Sequence, residues 1–376
     1  MTSIPDKDRS SRPFVSPGMP ALDLSGKPFS FFEFWPTWLI YIPVAVQTLV
    51  QGLFHRSITL PLLANPCLSL GGMVGTPKSN LLAQATGECR QVILDWFVHT
   101  LDTQSMETQI HAIRGQLDKH GMTWPVVCKP DIGCRGNGVR LVKNDTELEA
   151  YLSGYPSGAG IMIQKLASWE PEAGVFYVRN PGGEKGRIIS LALKYMPYVI
   201  GNGFHTLSQL IELDPRAGQL KHLYLERHKH NLEKVIPEGE PYRLIFSASH
   251  CKGAIFREGK EYITASLTDK IDFLMNEIPE FYYGRLDIKF RNLDALQKGH
   301  DIEIIEINAA SSESLHIWDR NTSFWEAMTV LLRQYRILFK IGARNRERGF
   351  RPPGIVALIR GWRLERKLSK DYPSTN

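Results

Sequence analysis

The chain has 376 residues, 43% hydrophobic and 22% charged, with a net charge of +6. That length accommodates two or three domains with a sizeable core, and the composition excludes a disordered or collagen-like chain. Residues 340–371 hold ten Lys or Arg against three acids, so this stretch carries +7 and the remainder −1; the basicity belongs to the C-terminus. The five cysteines (Cys67, Cys89, Cys128, Cys134, Cys251) are odd in number and form no CxxC pair. This argues against a disulfide framework or zinc cage and for a reducing, cytoplasmic compartment.

Residues 1–30 are polar and Pro-rich, lack the apolar core of a signal peptide, and predict a flexible arm. Within residues 31–75, "FWPTWLIYIPVAVQTLVQGLF" (34–54) has no formal charge. Its length could cross a bilayer, while Pro36, Pro43, Gln47 and Gln51 weaken that reading. A spanning helix, an interfacial helix at the inner membrane face, and a buried helix or protein contact all stay open, a homodimer among them. A Pro- and Gly-rich loop follows. Residues 76–124 read mainly as helix, with Val92, Ile93, Trp96 and Phe97 at helical spacing.

From 125 onward the pattern changes. "PVVCK", "GVRLV", "IMIQ", "VFYV", "IISLAL", "YRLIFSA", "GRLDIKF" and "IEIIEIN" are short strand candidates. Asp145 is a candidate cap for a helix over 145–152 and Thr206 for a second. The class is therefore α+β. The expected division is a smaller lobe at 125–200, a larger one at 201–338 and a basic helical tail at 339–376. In that tail, "GIVALIRGWRLERKLSK" (354–370) predicts an amphipathic helix, packed on its own domain or laid on a membrane surface. No aromatic-rich recognition motif points to nucleic acid, and none is expected as a partner.

Two motifs carry chemistry. In "CKPDIGCRGNGVRLV" (128–142) a strand ends at Lys129, and Gly133, Gly136 and Gly138 free the backbone of a loop before a second strand. Glycines let backbone N–H groups approach phosphate oxygens, and a lysine adds charge. The lysine precedes the glycines and a strand follows, which fits neither a Walker loop nor a Rossmann turn. A plain tight hairpin would look the same. In the second motif, Arg285 and Asp287 are two apart, as are Glu306 and Asn308. On strands, such pairs share a face. If the strands are neighbours, Asp287, Glu306 and Asn308 converge as hard oxygen ligands suited to Mg²⁺, with Arg285 beside them. Half-exposed strands facing solvent are the alternative. "KHLYLERHKH", with His222, His228 and His230, reads as a solvated basic helix or, less readily, a metal site.

In this order the motifs resemble the ATP-grasp superfamily of carboxylate–amine ligases, over roughly residues 76–335. The Arg–Asp and Glu–Asn pairs resemble D-alanine–D-alanine ligase. "IISLALKYMPYVIGNGFHTLSQLIELDP" is similar to the central part of cyanophycin synthetase and of fused glutathione synthetases. The resemblance implies a fold of two α+β lobes clamping ATP. It implies that Lys129 and Lys194 contact the phosphates, with Lys78 a third candidate, and that Gly136 and Gly138 close a lid. Gln164, Lys165 and Leu166 would line the adenine, largely through backbone, and Glu172, ahead of Glu170, would hold the ribose. Asp287, Glu306 and Asn308 would bind two Mg²⁺, and Arg285 would stabilise an acyl phosphate. Arg135, at the loop tip, would face a substrate carboxylate or solvent. The implied activity joins a small-molecule carboxylate to an amine with ATP; a phosphotransferase and a non-catalytic, membrane-associated ATP-binding scaffold are the alternatives. "AASSESLHIWD" after Asn308 departs from the D-alanine ligase pattern, which puts that substrate in doubt. His316, Trp318 and Asp319 are then acceptor-site candidates or a packed helix start.

Overall fold

Two antiparallel sheets organise the chain. The computed structural model describes residues 13–133, 136–183, 185–370 and 372–373. The first sheet has the order β1-β4-β2-β3, from β1 (Trp96–Thr100), β2 (Val126–Pro130), β3 (Arg140–Val142) and β4 (Gly160–Lys165). The second has the order β11-β10-β5-β6-β9, from β5 (Glu172–Val178), β6 (Arg187–Tyr195), β9 (Ile255–Glu258), β10 (Tyr283–Phe290) and β11 (Ile302–Asn308). A two-stranded ladder joins β7 (Tyr198–Ile200) to β8 (Pro241–Arg243). The α-helices are α1 (Thr37–Phe54), α2 (Lys78–Leu82), α3 (Gly87–Val92), α4 (Met106–Lys119), α5 (Asp145–Leu152), α6 (Leu207–Leu213), α7 (Lys221–Arg227), α8 (Ala265–Asn276), α9 (Leu293–Lys298), α10 (Phe324–Glu347) and α11 (Ile355–Lys370). The expected α+β class is what the structure has.

Alternation on β10 sets the site. Leu286, Ile288 and Phe290 are fully buried in one core with Leu267, Ile271 and Leu274 of α8. Burying each such side chain contributes roughly 1.5–3 kcal/mol. The period of two then turns Arg285, Asp287 and Lys289 to the opposite face. A bulge shifts the β10–β11 register between Asp287 and Ile288, so Asp287 pairs with Glu306 and Ile288 with Ile304. Ile305 is the extra residue. The bulge keeps Ile304 and Ile307 in the core while presenting Glu306 and Asn308 beside Asp287.

Several expectations change. Residues 13–30, expected as part of an arm, touch the body at several points: Leu22 is buried, Tyr195 Oη donates to Pro20 O (3.2 Å), Arg216 Nη1 donates to Pro28 O (2.7 Å), and Gly18 lies against Pro171 and Arg291. These contacts are made to distant parts of the chain, which composition alone conceals. The helical spacing of Val92, Ile93, Trp96 and Phe97 spans the end of α3 and the start of β1, an edge strand fixed by its pairing with β4. The cap of α5 is Asn144, which accepts from Glu147 N (2.9 Å), with Asp145 the first helical residue. Thr206 caps α6 as expected, in a capping box with Gln209. "YRLIFSA" is strand only through Arg243. The sheets part between Lys165 and Glu172, not near residue 200, because β5 and β6 pair into the sheet of β10. Helix α1 is long and apolar enough to cross a membrane, yet it lies docked along α10.

Candidate active site at the junction of the sheets

Three strands align a buried charge row. Lys289 on β10, Glu172 on β5 and Lys194 on β6 sit directly across from one another in register. Glu172 Oε1 accepts from Lys194 Nζ (2.8 Å) and Oε2 pairs with Lys289 Nζ (3.0 Å). In the next row Asp287 faces Gly174, whose missing side chain leaves room for Leu315 and for the stem of Arg285. Lys194 Nζ crosses to Asp287 Oδ1 (2.9 Å), which also accepts from Arg285 Nε (2.9 Å). Arg285 continues to Glu313 O (3.2 Å). Glu172, Lys194 and Asp287 are each at most 5% exposed, so each needs its partners. Burial would raise the Asp287 carboxyl, but Arg285 and Lys194 outweigh it and hold it down at about 2. Burial would likewise lower the Lys194 ammonium; Asp287 and Glu172 raise it instead.

Glu306 lies across from Asp287 and Asn308 across from Arg285. The Asn308 amide can aim its nitrogen at Asp287 Oδ2 (3.3 Å). Turned over, it donates to Glu306 Oε1 and accepts from Arg285 Nη2, both at 3.2 Å, which satisfies both ends. The expected metal set is therefore gathered on one face. Among the described residues no group of three or more His, Cys, Asp or Glu is placed to hold a metal. Two carboxylates and an amide oxygen still fit a hard cation that keeps waters and phosphate oxygens as further ligands. Such an ion would have to displace the cations now on Asp287.

The other sheet meets this face through Lys129. Its Nζ donates to Gln164 Oε1 (2.8 Å) and to the carbonyl of Ile305 (3.0 Å), the bulge residue of β11. Burial pushes the Lys129 ammonium down to about 8. Gln164 Nε2 is buried without a hydrogen-bond partner among the described residues. Gln164 thus meets Lys129 through its side chain. Lys165 N already donates to Asp95 O (2.8 Å), and its side chain is exposed; Leu166 is half-buried.

The glycine loop crosses the junction. Gly136 and Gly138 have φ of +69° and +76°, a region that disfavours other residues. Lys78 Nζ donates to Gly133 O (2.5 Å), and Lys252 Nζ to Gly136 O (2.6 Å). Tyr151 and Tyr155 donate to Gly138 O. Burial pushes Lys252 down to about 8. Arg135 and Cys134 lie outside the described residues. Val15, Ser16 and Met19 of the N-terminal segment, with Glu170, line a cavity of about 10 Å³ beside Lys194, room for one water. Glu170 is exposed, and Glu172 is fully engaged by its two lysines.

Sequence reasoning missed Lys252, Lys289 and Glu313. Lys289 was within reach, two residues beyond Asp287 on the same strand face. The acceptor candidates are packed and hydrogen-bonded. His316 is buried and shares a hydrogen bond with Ser190 (2.8 Å), Trp318 stacks on His250, and Asp319 accepts from Glu258 N (2.8 Å). Of the histidines in and just after α7, His222 and His230 are exposed, and His228 is hydrogen-bonded to Leu244 O (3.0 Å).

No protein-family model matches the chain, and no curated protein does. Solved structures of similar shape include a bifunctional glutathione synthetase from Pasteurella multocida, at 13% identity and TM-score 0.34, covering 72% of this chain and 38% of that one. A D-alanine–D-alanine ligase from Coxiella burnetii is similar at 12% identity and TM-score 0.36, covering 76% of this chain and 63% of the other. The VanG D-Ala:D-Ser ligase from Enterococcus faecalis is similar at 9% identity and TM-score 0.40, covering 73% and 62%. The chain spans less than two thirds of the length of each. All three scores lie below 0.5, and the function inferred for the site rests on its own residues. D-alanine–D-alanine ligases and glutathione synthetases, the proteins that the sequence motifs resemble, are thus among the solved structures this chain is similar to.

Proposed function

We propose that the chain is an ATP-dependent carboxylate–amine ligase of the ATP-grasp kind. The observation that carries this reading is the juxtaposition of Lys129, Lys194 and Arg285 with Asp287, Glu306 and Asn308 beneath a glycine loop held by Lys78 and Lys252. Buried charges of both signs, gathered where two sheets meet, suit a polyanion that carries its own cation.

In this reading Lys129, Lys194, Lys78 and Lys252 exchange their present carbonyl and carboxylate partners for phosphate oxygens. Mg²⁺ held by Asp287, Glu306 and Asn308 would neutralise phosphate charge. A substrate carboxylate oxygen attacks the γ-phosphorus and the bond to ADP breaks. An amine then attacks the acyl carbon, phosphate leaves with the bonding pair, and the amine gives up a proton to yield an amide. Arg285, held by Asp287 and Glu313, would stabilise the negative charge in both steps. The glycine loop excludes water from the acyl phosphate. ADP release measured across a panel of carboxylates with amino acids and other amines tests the reading. ADP formation that needs both an acid and an amine supports it; equal ADP formation without any amine would exclude a ligase.

A further inference from the structure

Helix α1 is docked by one side only. Ile40 and Val44 are buried, Gln47 Nε2 donates to Leu332 O (2.8 Å), and Tyr41 Oη donates to Glu313 Oε2 (2.6 Å). The other side shows Trp38, Ile42, Val46, Leu49, Leu53 and Phe54 to solvent, the last two 80% exposed. No charged residue falls between Phe34 and Phe54. At its N-terminal end Phe31 and Trp325 are 78% and 77% exposed, joined through ring contacts with Trp35 and Phe324.

Helix α10 runs alongside in the same direction: Tyr41 meets Tyr335, His55 stacks on Phe339, and Arg346 donates to His55 O (2.8 Å). It turns Arg333, Arg336, Lys340 and Arg344 to solvent at spacings of three and four, which is one stripe. Its only acids, Glu326 and Glu347, stand at its two ends.

We propose that this face seats the protein on an anionic lipid bilayer. With α1 in the interfacial plane, its apolar side chains enter the acyl boundary, the α10 cations meet headgroup phosphates, and Trp38, Trp325 and Phe31 sit at the level where aromatic rings concentrate. Crossing the bilayer would strip Ile40, Val44, Gln47 and Tyr41 from the body and carry Gln47 and Gln51 into hydrocarbon. A two-fold contact between copies through the same face would bring two cation rows into one interface, like charge beside like. The apolar face and the cation row together thus fit lipid better than a second copy. The inference stands apart from the ligase reading, since none of the exposed apolar or cationic side chains of this face belongs to the candidate site, which α1 meets through Tyr41 on Glu313.

The test is co-sedimentation of the full chain with phosphatidylcholine vesicles, with and without phosphatidylglycerol, at low and high salt, alongside sedimentation velocity. The wild-type chain is expected to bind the phosphatidylglycerol vesicles and to be weakened by salt. Arg333→Gln with Arg336→Gln should lower partitioning about thirtyfold, from about 1 kcal/mol per cation. Leu53→Ser with Phe54→Ser should lower it further. These positions are exposed, so the melting temperature should hold, and either pair suffices for the test. Absence of vesicle binding by the wild type, or binding untouched by both pairs, overturns the proposal. So does a stable dimer that Leu53→Ser with Phe54→Ser dissolves while vesicles bind neither form.

Discussion

The glycine loop and the β10–β11 pair meet at one junction, yet they are held in opposite ways. Around the loop, cations rest on backbone carbonyls: Lys78 on Gly133, Lys252 on Gly136. A phosphate oxygen can replace a carbonyl there, and the freed carbonyl at a surface loop returns to water. On the strands, each buried carboxylate is saturated by cations, and removing one group leaves the others unpaired. Substitutions in the loop should therefore change binding, and substitutions on the strands should change both chemistry and stability.

The largest effect is expected for Asp287→Asn, which leaves Lys194 and Arg285 without their shared carboxylate. Turnover should fall by at least about a thousandfold, and unfolding in urea should show a loss of about 3–5 kcal/mol. Glu172→Gln separates the two consequences. Facing both Lys194 and Lys289, it should cost about 3 kcal/mol of stability by the same urea titration, with the residual turnover of the folded fraction well above that of Asp287→Asn. If Glu172→Gln proves as stable as wild type, the buried row is not the element that holds these strands.

The loop variants come next. Lys78→Ala and Lys252→Ala should each weaken ADP binding about tenfold by calorimetry, about 1.4 kcal/mol, with little change in urea midpoint for Lys78 and a loss well short of that of Asp287→Asn for Lys252, whose stem is buried. A large stability loss in either would erase the contrast between loop and strands. The smallest effect is one of pH. Burial holds Lys129 at about 8, against an unfolded lysine near 10.4. The folded chain therefore carries this proton below pH 8 and releases it above, while the unfolded chain keeps it to higher pH. Phosphate binding favours the ammonium, so ADP affinity should fall as pH rises through about 8. Calorimetry in buffers of different ionisation enthalpy should show proton uptake above that pH, and Lys129→Arg should reduce it to the share of Lys252, which burial also holds at about 8.

Much of the strand half was legible because its signal is local. Arg285, Asp287, Glu306 and Asn308 follow from a period of two, and that same period reaches Lys289. The loop half was less so. Lys252 meets Gly136 across 116 residues of chain, from a segment with little regular structure, and only tertiary packing brings them together. The bulge at Ile305, which provides Lys129 with its carbonyl, is likewise invisible in a run of isoleucines. β1 hid behind a helical spacing that spans two elements, and the packing of residues 13–30 behind polar composition.

The most direct test of the central claim is ADP release by the wild type and by Glu306→Gln, each with and without carboxylate and amine. Glu306 is half-buried, and no salt bridge holds it among the described residues, so its amide should leave the fold intact. The account predicts ADP release by the wild type only when both substrates are present, and none above background by Glu306→Gln at an unchanged melting temperature. Full ADP release by Glu306→Gln would contradict it.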